Sequence, residues 1–209
     1  LPALGTTFVS CFGYIAFARM VSGMGTTIFA AHSIAITAEQ IVYIPGYGLR
    51  VATSTLVGNA LGEKDIRKLK ATERVSILIT LLIMVVNGIG LYLFAYPFMR
   101  LFTNSVNAAR IGSEMLRLVS FSEPFFGLMI VLEGISYGMG RTKHVFACEA
   151  VSMWGIRIFG TFLCVNVFGL GLKAVWLCMI ADNICKAILL YIFRPKHVEE
   201  NADDRGALR

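Results

Sequence analysis

Charged residues are scarce in this sequence. Only 15% of its 209 residues are Asp, Glu, Lys or Arg, whereas 56% are hydrophobic and the mean hydropathy is +0.71. Soluble domains are about half apolar and about a quarter charged, so this composition excludes an ordinary water-soluble globule. It also excludes an intrinsically disordered chain, which requires low hydrophobicity and high charge. The composition therefore predicts an integral membrane protein.

Metal ligands and cofactor motifs are scarce as well. The five cysteines lie in apolar runs without a C-x-x-C pair, and there are only three histidines. This pattern argues against a disulfide framework or a metal site. No Walker A sequence or G-x-G-x-x-G is present, so no nucleotide cofactor is expected. The net charge is +6, but the basic residues fall between apolar blocks and form no stripe, which argues against nucleic-acid binding.

Six apolar segments are long enough to cross a bilayer, which takes about 20 residues in a helix. They cover residues 3–21, 28–57, 74–96, 108–138, 144–167 and 170–193. The sequence therefore predicts an all-α membrane protein, with a six-helix transmembrane domain over residues 1–196 and a cytoplasmic polar tail over 197–209. The proline of Pro45-Gly46 predicts a kink in the second segment. The fourth segment, with Pro124 near its start, is long enough to be tilted or bent.

Basic residues are distributed unequally between the loops. The loops after the second and fourth segments, together with the end of the sixth, carry nine Lys and Arg residues, against four on the opposite side. The positive-inside rule then places both ends of this chain in the cytoplasm. The predicted location is the plasma (inner) membrane. Only residues 168–171 separate the last two segments, which predicts an antiparallel helical hairpin.

A polar face runs along the second segment. Four residues spaced i, i+4, i+7 and i+11 form it: Glu39, Tyr43, Gly46 and Arg50. At about 100° per residue they share one helix face, and Gln40 flanks it. Charged groups in hydrocarbon face a partner or water, so this face indicates either a Glu39–Arg50 packing network or the wall of a substrate pathway. With Glu133 from the fourth segment, Glu39, Gln40, Tyr43 and Arg50 are the candidates for substrate binding or ion coupling.

Other charged residues in the segments fit a structural interpretation. Asp182 and Lys186 are spaced i, i+4 in the sixth segment, which predicts a pair that neutralises itself. Glu149 and Arg157 lie in the fifth segment.

Small residues predict close helix packing at two places. Gly58 and Gly62 follow the second segment and lead into the basic loop, and Gly134 and Gly138 end the fourth segment. Residues 134–138 also match the G-x-S-x-G motif of hydrolases. That motif requires a strand, a turn and a helix, so no enzyme is predicted.

Three stretches resemble signatures of one family. Residues 25–34 (GTTIFAAHSI) resemble the Gly…Ala-Ala-His-x-Ile signature of the multidrug and toxic compound extrusion (MATE) transporters. Residues 57–65 (VGNALGEKD) are similar to its V-G-x-x-L-G-x-x-D stretch, and residues 134–143 resemble its G-A-L-R-G-x-G-D-T-R motif more loosely. The resemblance implies one six-helix lobe of a MATE-like transporter of the MOP superfamily, the C-terminal one given His32 and the polar tail.

The resemblance also implies a function and partners. MATE proteins have two six-helix lobes and export drugs or toxic organic cations by antiport of Na⁺ or H⁺. The expected partners are the lipid bilayer, the missing lobe in the same chain or as a separate one, and small amphipathic or cationic substrates. Two carboxylates that bind the coupling cation in NorM-like members fall at Ser10 and Phe126 here, which puts a NorM-type sodium site in doubt.

Two other functions remain open at the level of sequence. A lipid-linked saccharide flippase of the same superfamily would present cationic residues in a central cavity, and Arg50 and Arg157 are the ones available. A truncated fragment without its partner lobe would not transport at all.

Overall fold

The computed structural model describes residues 2–193, with side chains from residue 11 onward. This part contains no strand and consists of seven helices: α1 (Pro2–Ser22), α2 (Thr26–Gly62), α3 (Ile66–Phe102), α4 (Val106–Ser120), α5 (Glu123–Gly138), α6 (Thr142–Val167) and α7 (Leu172–Ile192). The predicted all-α membrane fold is confirmed. The tail predicted over 197–209 lies outside the described residues.

Most of the predicted spans are single helices of membrane-crossing length. By length and hydropathy α2, α3, α6 and α7 are each sufficient to span a bilayer. The fourth predicted span is two helices, α4 and α5, which meet at an angle of 61° and together make a fifth candidate span. The first predicted span corresponds to α1, of which Cys11–Ser22 forms an apolar helical part.

The break between α4 and α5 has a local cause. Pro124 has no amide hydrogen, so the Ser120 carbonyl loses the donor that a continuous helix would provide. The hydroxyls of Ser120 and Ser122 turn back onto the backbone, donating to the carbonyls of Arg117 at 2.7 Å and Val119 at 2.8 Å. Serine hydroxyls that bond to the backbone in this way compete with the helical pattern. The bend expected from sequence is therefore a true break.

The connection between α2 and α3 is shorter than the sequence predicted. Both helices continue past the expected ends of the apolar segments and leave only residues 63–65 between them. The Asp65 carboxylate caps α3 by accepting from the Lys68 amide at 3.0 Å, and Lys64 adopts a positive φ of 56°. The basic residues from Arg67 to Arg74 therefore lie on the first turns of α3, so their assignment to a loop was wrong.

Two glycines let α5 approach α2 closely. A Cβ atom added at Gly134 would lie 2.7 Å from the Arg50 carbonyl oxygen, and one at Gly138 would lie 2.6 Å from the Ser54 carbonyl oxygen. Real side chains cannot occupy such positions, so both residues have to be glycine for this contact. The close packing predicted for this pair is present.

The other glycines that the sequence singled out make no close helix contacts. A Cβ atom at Gly58 would make an ordinary 3.6 Å contact, and one at Gly62 would meet no atom of the described residues within 4 Å, so no close helix contact is seen at either position. Gly46 also has ordinary contacts only, and α2 runs through Pro45 without interruption.

The predicted hairpin of the last two spans is present. Ser152 of α6 bonds to Asp182 of α7, whereas Gly160 lies beside Cys178, so the two helices run antiparallel. Two stretches of α6 are π-helical, Met153–Ile158 and Leu163–Val167. A π-helical turn rotates the side chains that follow it, and such turns occur often at functional sites.

Candidate functional site

A cavity of about 210 Å³ lies between α1, α2, α5, α6 and α7. All five residues that the sequence singled out for substrate binding or ion coupling line it: Glu39, Gln40, Tyr43, Arg50 and Glu133. Their place on one cavity is a geometric finding, and their roles stay predictions. Five further polar residues line the cavity from other helices: Tyr14, Glu149, Arg157, Asn183 and Lys186. The substrate and ion-coupling candidates chosen from sequence included none of these five, and only Arg157 had been named as a cavity residue, under the flippase alternative.

Glu39 and Tyr43 form one unit on the α2 side of the cavity. The Tyr43 hydroxyl donates to Glu39 Oε1 at 2.6 Å, and both side chains are buried. The Tyr43 ring stacks on Phe126 of α5 with a centroid distance of 3.7 Å. Phe126 is one of the two positions at which the resemblance implied a cation-binding carboxylate, and here an apolar ring supports the Glu39–Tyr43 pair from the opposite helix. The side chain of Ser10, the other such position, lies outside the described residues.

Arg50 pairs across to α5 and not along α2. Its Nη1 donates to Glu133 Oε2 at 3.0 Å, and its guanidinium lies 5.2 Å from the centre of the Tyr47 ring. The Glu39–Arg50 network is therefore absent, and that structural interpretation was wrong. Arg50 is three turns from Glu39 along α2, whereas α5 approaches at Gly134 and places Glu133 within reach.

Two ion pairs join α6 to α7 at the opposite wall. Arg157 Nε lies 3.2 Å from Asp182 Oδ2, and Lys186 Nζ lies 2.5 Å from Glu149 Oε2. The Ser152 hydroxyl also donates to the Asp182 carboxylate. The predicted Asp182–Lys186 pair is not a direct ion pair. Asp182 attracts Lys186 electrostatically, but the direct partner of each side chain lies on α6. The π-helical turn of α6 contains Arg157 and directs it at this wall.

The charges around the cavity divide into two groups. Arg50, Arg157 and Lys186 are each paired with a carboxylate. Glu39 forms no ion pair among the described residues and relies on the Tyr43 hydroxyl. Such a carboxylate in an apolar wall is a candidate for binding a proton, a cation or a cationic substrate.

The signature histidine has a packing partner outside the cavity. The indole nitrogen of Trp176 on α7 donates to His32 Nδ1 at 3.2 Å, and Phe17 of α1 lies 5.5 Å away by ring centroids. His32 and Trp176 are both buried. His32 therefore ties α1, α2 and α7 together. Among residues 11–193, no three His, Cys, Asp or Glu side chains form a metal cluster.

Comparison with known proteins matches most of the chain. A sequence model of the MatE family matches residues 2–163. The chain is 30% identical over 194 residues to "Probable multidrug resistance protein NorM" of Thermotoga maritima, covering 92% of this chain and 41% of that protein. It is 28% identical over 173 residues to the protein of the same name from Photorhabdus laumondii, covering 81% and 38%. The chain thus spans about two-fifths of the length of these relatives.

Solved structures share the fold. The Vibrio cholerae MATE transporter VcmN in its bent form has a TM-score of 0.85 at 16% identity, over 95% of this chain and 45% of that one. A MOP superfamily transporter from Pyrococcus furiosus, described as having a binding pocket of reverse polarity, has a TM-score of 0.85 at 17% identity, over 92% and 43%.

Proposed function

Since the chain belongs to the MatE family, we propose that it forms one lobe of a secondary-active efflux transporter that exports drugs or toxic organic cations in exchange for Na⁺ or H⁺. The relatives named above are multidrug resistance proteins and support the efflux class. A second six-helix lobe, in the same polypeptide or in a partner, completes the transporter. Sites of such transporters commonly lie between repeats near the middle of the membrane.

The observation that carries this proposal is the composition of the cavity. Glu39 forms no direct ion pair with any described residue, and its neighbours Tyr43 and Phe126 present aromatic rings. A carboxylate beside aromatic rings suits an amphipathic organic cation, since both groups attract positive charge. The same carboxylate can bind the coupling ion. Competition between ion and substrate for Glu39 then links efflux to the ion gradient.

The flippase alternative is not favoured. A lipid-linked saccharide carries phosphate groups, which require unpaired cationic side chains. Arg50, Arg157 and Lys186 face the cavity, but each is neutralised by a carboxylate. Location follows the same proposal: the lobe lies in the plasma (inner) membrane with both ends of this chain in the cytoplasm.

The test is export of a fluorescent organic cation from cells that express the complete transporter. Glu39→Gln keeps the shape of the side chain and removes its charge and its titration. We expect this variant to insert normally and to lose ion-dependent export. Glu114→Gln is the matched control, because Glu114 lies on α4 away from the cavity in an exposed pair with Lys173. Export should remain unchanged in the control.

Two results would contradict the proposal. If Glu39→Gln exports the cation with the wild-type dependence on pH and Na⁺, Glu39 does not couple transport. If no cation is exported by the wild-type transporter under any ion gradient, the efflux function itself is wrong. Membrane-inserted yield, measured in parallel, separates loss of transport from loss of protein.

A further inference from the structure

Glu123 is the most isolated charged residue of the described part of the chain. Its side chain is fully buried at the start of α5, and neither carboxylate oxygen has a hydrogen-bond partner. It forms no ion pair with any described residue. Burial of an ionised carboxylate without a partner is so unfavourable that such a group is neutralised in practice. Another species must therefore compensate the charge of Glu123.

The described residues around Glu123 supply no positive charge. The charged group that acts electrostatically on Glu123 is Glu39 of α2, which has the same sign. The Tyr43 hydroxyl is not available to Glu123, because it donates a hydrogen bond to Glu39. On the α3 side Glu123 packs against Gly88, where an added Cβ atom would lie 3.2 Å from Glu123 Cβ. Thr80 of α3 lies opposite Gly127, one turn along α5 from Glu123. Its buried hydroxyl also has no hydrogen-bond partner.

The helix break adds an oxygen next to this carboxylate. The Ser120 carbonyl, which lost its helical donor to Pro124, points at Gly88: a Cβ atom there would lie 2.7 Å from this oxygen and 3.3 Å from Glu123 Cγ. Gly88 therefore keeps open the space where the carbonyl and the Glu123 side chain come together. In membrane transporters, carbonyls at the ends of broken helices help to bind cations.

We propose that the α4–α5 break is a binding site for a small monovalent cation, a proton or Na⁺, held by the Glu123 carboxylate beside the Ser120 carbonyl. The site is separate from Glu39 and lies on the α3 side of α5. Its role in coupling rests on the proposed function, whereas the binding itself does not. Together the two carboxylates give the lobe two positions at which positive charge can be taken up.

The experiment uses the complete transporter, purified and reconstituted in lipid nanodiscs, without any transport measurement. Infrared difference spectra between high and low pH in sodium-free buffer report protonation of buried carboxyl groups, and radioactive Na⁺ reports sodium binding. Glu123→Gln, Glu39→Gln and the exposed control Glu114→Gln are compared with wild type. We expect Glu123→Gln to remove one signal that the other two variants retain: a carboxylic acid band if the ligand is a proton, or sodium binding weakened at least about tenfold if it is Na⁺.

The result that overturns the proposal is a Glu123→Gln protein that keeps every proton and sodium signal of the wild type. A carboxylic acid band of Glu123 that never responds to pH or Na⁺ also overturns it, because a permanently neutral acid binds nothing. If Glu123→Gln does not fold, Glu123→Asp keeps the charge on a shorter side chain and should shift the same signal; an unchanged signal counts against the site. If these signals are present but the wild-type transporter exports no cation in the separate export assay, the proposed function alone is contradicted.

Discussion

Replacement of Arg157 by methionine is expected to destabilise the lobe strongly. Arg157 joins α6 to α7 through Asp182, and the Asp182 side chain is completely buried. Methionine retains much of the volume of the arginine but removes the charge, so Asp182 loses its direct ion pair. It keeps the Ser152 hydroxyl and the longer-range attraction of Lys186. Breaking a buried pair by removing one partner typically costs about 3–5 kcal/mol, since the remaining charge stays buried without compensation. We expect the Arg157→Met variant to lose stability in this range.

The double variant Arg157→Met/Asp182→Asn tests the physical reason. With both charges removed no uncompensated charge remains, and replacement of a whole buried pair is often close to neutral. The double variant should therefore be more stable than the single one. Lys68→Met serves as the surface control, because Lys68 and Glu63 form an ion pair with side chains 49% and 52% exposed. Exposed pairs contribute about 0–1 kcal/mol, so this control should unfold as the wild type does.

The assay is unfolding of the purified protein in detergent micelles, followed by tryptophan fluorescence against denaturant. Trp176 reports on α7, because it is buried against His32. Two outcomes would refute the reasoning. One is an Arg157→Met variant within about 1 kcal/mol of wild type, the range of an exposed pair. The other is a double variant that is no more stable than the single one, which would show that the arginine acts through packing instead of charge.

Two further predictions concern packing and orientation. Gly134→Ala should destabilise the α2–α5 contact by about 1–3 kcal/mol, because the added Cβ would lie 2.7 Å from a backbone carbonyl oxygen. Gly90→Ala is the control and should be tolerated, because a Cβ atom there would lie in open space. Unfolding of both variants in denaturant measures the difference. Cysteines introduced at Lys68 and Lys143 should be protected from an impermeant thiol reagent in intact cells, while one at Asn107 should be labelled; labelling of Lys68 from outside would reverse the topology.

The membrane-spanning helices could be predicted from sequence because the bilayer allows very few backbone conformations. A backbone in hydrocarbon has to satisfy its hydrogen bonds internally, so a long apolar segment is helical. The helix ends could not be predicted in the same way. Beyond the hydrocarbon a helix is no longer required to be apolar, and α3 begins at Ile66, eight residues before the predicted span, because Asp65 caps it. Hydropathy carries no information about such a cap.

Most of the candidate site that could be predicted from sequence lies on α2, where the polar residues are spaced at helical intervals. Glu39, Tyr43 and Arg50 recur at helical intervals, and charges in an apolar segment have to face a cavity or a partner. The partners were not predictable, because pairing between helices depends on their rotation and separation. Arg50 reaches Glu133 only where glycine lets α5 approach, and α7 turns Lys186 to Glu149 on α6. The i, i+4 rule describes a helix in water and does not anticipate such competing partners.

The distribution of these charges determines where the lobe can respond to an ion. Along α6 and α7, neutralising a carboxylate would leave Arg157 or Lys186 buried and unpaired, which is unfavourable. At Glu39 and Glu123, by contrast, neutralisation removes a charge that forms no direct ion pair with any described residue. Binding of a cation is therefore unfavourable at the α6–α7 ion pairs and favourable at Glu39 and Glu123. On the two proposals above, we expect α6 and α7 to form a fixed side of the lobe and ion binding to act on α2 and on the α4–α5 break.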